Sequence, residues 1–373
     1  MNRLIYKGIS ATERILPAAL VSLGLFGYFI LYRQVLQPDL KDHILYSSKM
    51  MEGTLVAHPV FFFLLQLFSG FSNNPSALLF SAFLVFSTGF FLKYYFSLRL
   101  LEVILEEKAT LLLGTIVLLS QFAIGFLLLQ THYVKASLSP NFFHNGTLLI
   151  SFIPSLYLLT QTLQYLRDEK PERRFRMLMA GVLIVLTKPS FLFCWIPVVP
   201  VYVLIKEGAG KKLLHFLQIA ILLVFCLIIQ SYLLRNSTAE FKLVFSPFRY
   251  FGSIFNHFLV LASALFFPLI SFIPGIRFWK TGTGLLLVLM AMQGLLISFC
   301  FYDTIKNVVS PNMFWQSSMM HYLLFLFAGM ILHDLLRNKR YLAAILPTLA
   351  FFAQVLSGAQ YLRISAIIKS FFV

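Results

Sequence analysis

The chain is 373 residues long, 59% of them hydrophobic and 12% charged, with a mean hydropathy of +0.83. A water-soluble domain carries roughly 25% charged residues, so there is too little polar side chain here to cover a soluble globule. The net charge is +16, from 30 Lys and Arg against 14 Asp and Glu. In so apolar a chain this points to loop topology and anionic lipid rather than to nucleic acid, which is not expected as a partner.

Apolar blocks of the length needed to cross ~30 Å of hydrocarbon recur along the chain. The first, about Ile15–Tyr32, follows the basic residues Arg3, Lys7 and Arg14. It is long enough to span and no small-residue cleavage site follows it, so it reads as a retained signal anchor. A polar stretch, Arg33–Glu52, leads to the shorter run Val56–Phe71, opened by His58-Pro59. Further spans are expected at about Ser76–Ser97, Thr110–Gln130, Leu148–Leu166, Met177–Thr187, Ser190–Ile205 and Leu213–Leu234. Four more follow at Phe258–Phe278, Leu285–Phe301, Met319–Leu336 and Leu342–Leu356. The predicted fold is all-α and polytopic, with about 10–11 spans and no separate soluble domain. Cys194, Cys226 and Cys300 lie in apolar runs without metal-ligand spacing and read as packing residues.

The links between spans set the orientation. With the N-terminus cytoplasmic and Val56–Phe71 lying on the outer surface, the links Arg99–Lys108, Arg167–Arg176, Lys206–Lys212, Arg277–Lys280 and Arg337–Arg340 all fall inside. Together with the N-terminus they hold about 18 of the 30 basic residues, as the positive-inside rule requires. A full crossing by Val56–Phe71 would invert every later loop. Met177–Thr187 and Ser190–Ile205 are joined almost without a loop by Lys188-Pro189, where proline forces a break and the lysine needs water or a polar cavity. These halves are predicted to form a hairpin whose tip reaches the outer side.

On this topology only Asp39, Asp42, Glu52, Glu240 and Asp303 among the carboxylates lie outside. Asp39 and Asp42 share a helical face if the loop is helical, and His43 stands four residues from Asp39. A carboxylate beside an imidazole at the membrane surface has the makings of a general base or of a divalent-metal site, and equally of an ordinary hydrated loop. The segment Ser139–Thr147, with His144 and Asn145 among aromatics, offers hydrogen bonds and apolar faces suited to a sugar or a lipid chain. It is also compatible with an interfacial aromatic belt. Lys188, Arg235, Lys242, Arg249 and Lys306 lie outside against the general bias, where basic side chains either bind a lipid phosphate or snorkel.

The order of these parts resembles the GT-C superfamily of membrane glycosyltransferases, which use polyprenyl- or dolichyl-phosphate-linked sugars. The resemblance rests on the first span, the acidic outer loop with Asp39 and Asp42, and the His58-Pro59-Val60-Phe61-Phe62 segment. It also rests on Leu186-Thr187-Lys188-Pro189-Ser190 between two short apolar halves. His144-Asn145-Gly146-Thr147 is similar to a His-Asn-Pro-Thr element of some bacterial relatives, with glycine in place of proline. The resemblance covers roughly residues 1–210, including the outer loop 33–75, and leaves 211–373 as variable spans. Departures are the spacing of the two aspartates and the lack of a large C-terminal soluble domain.

The resemblance implies an inverting transfer from a lipid-linked sugar donor to a glycan, lipid or protein acceptor outside the plasma membrane of a bacterium. It implies Asp39 as the leading base and Asp42 as reserve or acceptor-orienting group. His43, His58, His144 and Asn145 would line the site, with Lys188 and Arg249 on the donor phosphate. No cofactor is assigned, and a divalent cation is compatible with the carboxylates. Rival readings are a lipid or glycolipid flippase or transporter, against which the scarcity of carboxylates inside the spans weighs, and a polysaccharide polymerase.

Overall fold

The computed structural model describes residues 11–31, 38–54, 56–125, 146–234, 241–247, 254–305, 308–310 and 315–370. The chain is an all-α polytopic membrane protein. Helix α1 (Ala11–Leu31) is followed by α2 (Pro38–Met51), α3 (Pro59–Phe68), α4 (Pro75–Leu105), α5 (Leu111–Ser120), α6 (Gly146–Asp168) and α7 (Pro171–Thr187). A 3₁₀ turn, Pro189–Phe191, leads into α8 (Leu192–Glu207) and then α9 (Lys211–Leu234). The remainder comprises α10 (Ile254–Ala264), α11 (Phe266–Phe272), α12 (Ile276–Trp279), α13 (Gly282–Cys300), α14 (Trp315–Arg337) and α15 (Tyr341–Ser370). Among the described residues, seven helical segments are long and apolar enough to cross a membrane: α4, α6, the 3₁₀ turn with α8, α9, α13, α14 and the first part of α15. Shorter apolar helical stretches at Ile15–Leu25, Pro59–Phe68 and Leu111–Ser120 accompany them.

Burial separates centre from periphery. The spanning windows of α6 and α14 are each 89% buried, whereas that of α9 is 22% buried. The two central helices carry a hydroxyl-rich and amide-rich composition, including Ser151, Ser155, Thr162, Gln316, Ser317 and Ser318, all buried. The outer helix α9 turns Leu217, Ile221, Phe225 and Ile228 outward, the pattern of a lipid-facing helix. One aliphatic and aromatic core runs from Leu98 and Leu101 through Trp195 and Phe216 to Phe267, Phe325 and Phe351.

Charge pairs gather the helix ends that the sequence places together. Arg167 reaches Glu106 at 3.2 Å, Arg337 pairs with Glu107, and Lys212 bridges Glu207 at 2.8 Å and Glu169 at 3.3 Å. Arg173 holds Asp168 at 2.7 Å. The last turns of α4, α6, α8 and α14 and the first turns of α7 and α9 therefore share one basic end.

The opposite end carries α2 and α3, the first turns of α4, α6 and α14, and a small antiparallel sheet. In the sheet β1 (Phe241–Phe245) pairs with β2 (Phe301–Ile305), which pairs with β3 (Val308–Ser310). Sequence periodicity did not anticipate it, because β2 directly continues the apolar span of α13 and β1 and β3 are only five and three residues long. Helix α3 is ten residues long, too short to cross the bilayer. It buries Phe61, Phe62 and Leu65 in a second cluster with Val85, Phe86 and Phe90 of α4 and Leu149 and Ile150 of α6.

Two expected spans are interrupted, and one side chain braces the end of α5 and the junction of α10 with α11. Helix α5 ends at Ser120 within the expected span Thr110–Gln130, and Phe258–Phe278 is broken into α10, α11 and α12. Gln354 of α15, fully buried, donates to the carbonyls of Ile124 at 3.1 Å, Ser263 at 3.0 Å and Ala264 at 3.2 Å. Its Oε1 accepts from the Phe267 amide at 2.9 Å. The breaks are stable because this amide supplies hydrogen bonds that helix continuation would otherwise provide. Gln354→Leu should strip those partners at nearly constant volume, lowering stability by about 2–4 kcal/mol. A thermal unfolding midpoint in detergent equal to wild type would contradict this role.

Candidate functional site

The chain breaks where Lys188-Pro189 predicted. Helix α7 stops at Thr187, Lys188 is extended at φ −165° and ψ 114°, and its amide donates back to the Ile184 carbonyl at 2.8 Å. Pro189, which has no N–H to donate, opens the 3₁₀ turn. The tip is an internal one: Lys188 is only 6% exposed. Ser151 of α6 donates to the Lys188 carbonyl at 2.8 Å, which fixes the break against α6. The Lys188 ammonium lies 3.5 Å from Thr147 Oγ1 and 4.4 Å from the centroid of the Trp315 ring, at the first turns of α6 and α14. A cation over an indole face, out of water, gains of the order of 2 kcal/mol from the ring quadrupole.

His58 stands next to this lysine. It caps the N-terminus of α3 in the left-handed region, φ 63° and ψ 52°, just before Pro59. A β-carbon-bearing residue costs roughly 1–2 kcal/mol in that region, so the turn is held by its surroundings rather than by local preference. Part of the His58 surface stays open, but Nδ1 is enclosed and finds no hydrogen-bond partner among the described residues. Burial first, then the charges of Lys188 and His43, drive its pKa from 6.5 down to about 3. His58 is therefore neutral at pH 7.

Because the native pKa lies below the unfolded one, the neutral ring contributes its full stability above about pH 6.5. That contribution is lost as pH falls toward 3, where the unfolded chain takes the proton first. His58→Gln should flatten the acid limb of the stability profile between pH 6.5 and 3. An unchanged limb in a folded variant would overturn the assignment.

His43, on α2, sets its ring edge-on to Phe61 at 5.1 Å and Phe62 at 5.7 Å. Helix α2 is thus packed onto α3, with Ser47 accepting a 3.0 Å bond from Gln66 Nε2 and donating to the Phe62 carbonyl at 3.3 Å. Asp39 and Asp42 belong to α2, four residues and one residue before His43, and their side chains lie outside the described ones. His144, Asn145 and Arg249 lie outside the described residues altogether. The structure gathers His43, His58 and Lys188 at one end of the bundle, with the helix bearing both aspartates.

Gly146 explains how α3 approaches α6 so closely. A β-carbon there would stand 2.5 Å from Cε2 and Cζ of Phe61 and 2.8 Å from Phe86 Cζ. A proline at this position would meet the same ring.

Three contributors were not singled out from sequence. Thr147 and Trp315 hold the Lys188 ammonium, and Lys93 is buried inside α4 at 3% exposure. The signal for Lys93 was available, as the one basic residue within the expected span Ser76–Ser97. Among the described residues no group of three His, Cys, Asp or Glu side chains is arranged as a metal site. A cavity of about 420 Å³ opens at the basic end, lined by Arg167, Glu207, Tyr202, Phe278 and Thr283 among others, away from this cluster. Comparison of the chain with family models, with curated proteins and with solved structures finds no match.

Proposed function

We propose that this protein is a membrane glycosyltransferase that moves a sugar from a polyprenyl-phosphate-linked donor to an acceptor on the extracytoplasmic side. The observation that carries the reading is the convergence of Lys188, His58 and His43 with the aspartate-bearing helix α2, at the end of the bundle opposite the basic, charge-paired one. The positive-inside rule makes the basic end cytoplasmic and the site end outer.

In the proposed reaction Asp39 takes the proton of an acceptor hydroxyl as its oxygen attacks the anomeric carbon. The carbon–oxygen bond to the donor phosphate breaks, its electron pair leaves with the phosphate, and configuration inverts. Lys188 stabilises the charge that develops on that leaving group, from a position fixed before the donor arrives. Neutral His58 is available to hydrogen-bond through a ring nitrogen, and His43 positions α2 against α3. Asp42 is the reserve base or orients the acceptor. The enclosure of α3 between α2, α4 and α6 gives the lipid chain an apolar wall. Transfer from labelled polyprenyl-phosphate sugars in membranes tests the reading. Sugar transfer that depends on α2 supports it, and no transfer from any such donor removes it.

A flippase reading is favoured by one observation, the buried ionisable Lys93 at mid-span, since ionisable residues inside spans mark substrate paths. Movement of a fluorescent lipid-linked sugar across vesicles, without transfer, would select it.

A further inference from the structure

The cavity of about 420 Å³ at the basic end takes no part in the proposed transfer, and its walls are graded. Its size falls in the range of about 300–1,000 Å³ usual for small-ligand sites. Arg167, Glu207, Thr281, Gly282 and Thr283 line it at helix ends, the last turns of α6 and α8 and the start of α13. Leu163 lies four residues inside Arg167, about 6 Å at ~1.5 Å per residue. Phe327 and Met330 lie ten and seven residues before the end of α14 at Arg337, about 10–15 Å in. A polar end thus passes into an apolar interior, which matches an amphiphile rather than a wholly water-soluble molecule.

The polar end carries unused donors. Thr281 caps α13, its Oγ1 accepting from the Gly284 amide at 3.1 Å and its carbonyl from the Leu285 amide at 2.9 Å. The amides of Gly282 and Thr283 are the first two of the helix and have no intrahelical acceptor. Tyr202 lines the same cavity at 8% exposure, and its hydroxyl finds no hydrogen-bond partner among the described residues. That hydroxyl sits at the start of α13, since a β-carbon on Gly282 would stand 2.5 Å from it. Arg167 uses one nitrogen, Nη1, for both the Val103 carbonyl at 2.7 Å and Glu106 at 3.2 Å, which leaves Nε and Nη2. Glu207 is the one carboxylate of the lining among the described residues, and Lys212 already holds it at 2.8 Å. Arg277 and Lys280, on either side of Phe278 in sequence, are exposed and make no ion pair among the described residues.

We propose that this cavity binds an anionic phospholipid of the leaflet at the basic end. Its phosphate diester takes the start of α13, between Arg167 and the Tyr202 hydroxyl, and its upper acyl carbons lie against Leu163, Phe327 and Met330. A phosphate oxygen accepts from backbone amides at a helix start and from a guanidinium, and these charge-assisted bonds are the strong ones. The buried tyrosine supplies a further donor that has no other use in the fold. Net charge selects the head group. With Glu207 neutralised by Lys212, the balance around the cavity is positive, so a choline head would bring its ammonium to like charge. The site lies at the opposite end of the bundle from Lys188 and needs no sugar transfer.

The experiment measures binding to the purified protein in neutral detergent, with dioctanoyl phosphatidylglycerol, dioctanoyl phosphatidylcholine and glycerol 3-phosphate as probes. Phosphatidylglycerol should bind saturably, at least about fivefold more tightly than phosphatidylcholine. Glycerol 3-phosphate, which lacks the acyl chains, should bind at least about tenfold more weakly than phosphatidylglycerol. Tyr202→Phe keeps the ring and removes only the hydroxyl, and should weaken phosphatidylglycerol about three- to tenfold. Arg167→Gln should cost about tenfold or more. Lys206→Gln, at an exposed basic residue outside the lining, should stay within about twofold of wild type. Equal affinities for the two lipids overturn the proposal without any variant. So does unchanged affinity in Tyr202→Phe, which places the lipid elsewhere, or an equal loss in Lys206→Gln and Arg167→Gln, which marks diffuse surface charge. Glycerol 3-phosphate binding as tightly as the lipid overturns the lipid as the source and leaves a soluble phosphate ester.

Discussion

Asp39→Asn is expected to lower sugar transfer by about 10²–10⁴-fold, the range general-base catalysis supplies, with donor affinity nearly unchanged. The amide keeps the size of the carboxylate and cannot accept the acceptor proton, so loss of rate with retained binding isolates the chemical step. Asp42→Asn should cost less, and chiefly in acceptor KM, if Asp42 orients the acceptor hydroxyl. The separation matters because both residues lie within one turn of α2, and His43 anchors the following turn to Phe61 and Phe62. A change that simply unseated α2 would weaken both variants together and lower the unfolding midpoint. Full activity in Asp39→Asn, with collapse in Asp42→Asn, would exchange the two roles. Full activity in both would remove α2 from the chemistry.

The parts of this molecule that were legible in its sequence are those set by local rules. The helical spans followed from apolar block length, and the shared basic end from loop charges later seen pairing across α4, α6, α8, α9 and α14. The break at Lys188-Pro189 followed from the missing amide hydrogen. What escaped was set by distant partners. The early end of α5 and the break between α10 and α11 are braced by Gln354, more than 80 residues away in sequence from Phe267, although Pro268 and Pro274-Gly275 mark the breaks on either side of α11 locally. The three-stranded sheet pairs Phe241–Phe245 with Phe301–Ile305 across a whole helical excursion. Lys93 was visible as a charge in an apolar run, but its aromatic walls come from α6 and α14, and only packing brings them together. For the candidate site, the sequence supplied His43, His58 and Lys188 as separate hints. Their meeting is a property of the fold, as is the glycine at 146 that lets Phe61 close against α6.

Lys188→Met should weaken donor binding by about 10–100-fold, the worth of one charge-assisted contact of 1.5–3 kcal/mol. Methionine nearly preserves the volume and can keep its side chain against Trp315, so the break between α7 and α8 should survive. The Ser151 bond goes to the backbone carbonyl of residue 188 and is indifferent to the side chain. The variant also removes a positive charge that lowers the His58 pKa, so the His58 pKa should rise and the acid limb of stability should shorten, still beginning near pH 6.5 but ending at a higher pH. This second effect makes the prediction hard to mimic. A merely structural lysine would lose stability at every pH and leave the acid limb where it was. A donor contact remote from His58 would change affinity alone. Only a lysine that faces both the donor and His58 moves affinity and the histidine titration together, and titrating both properties in Lys188→Met and Lys188→Arg decides whether the outer end of the bundle works as one site.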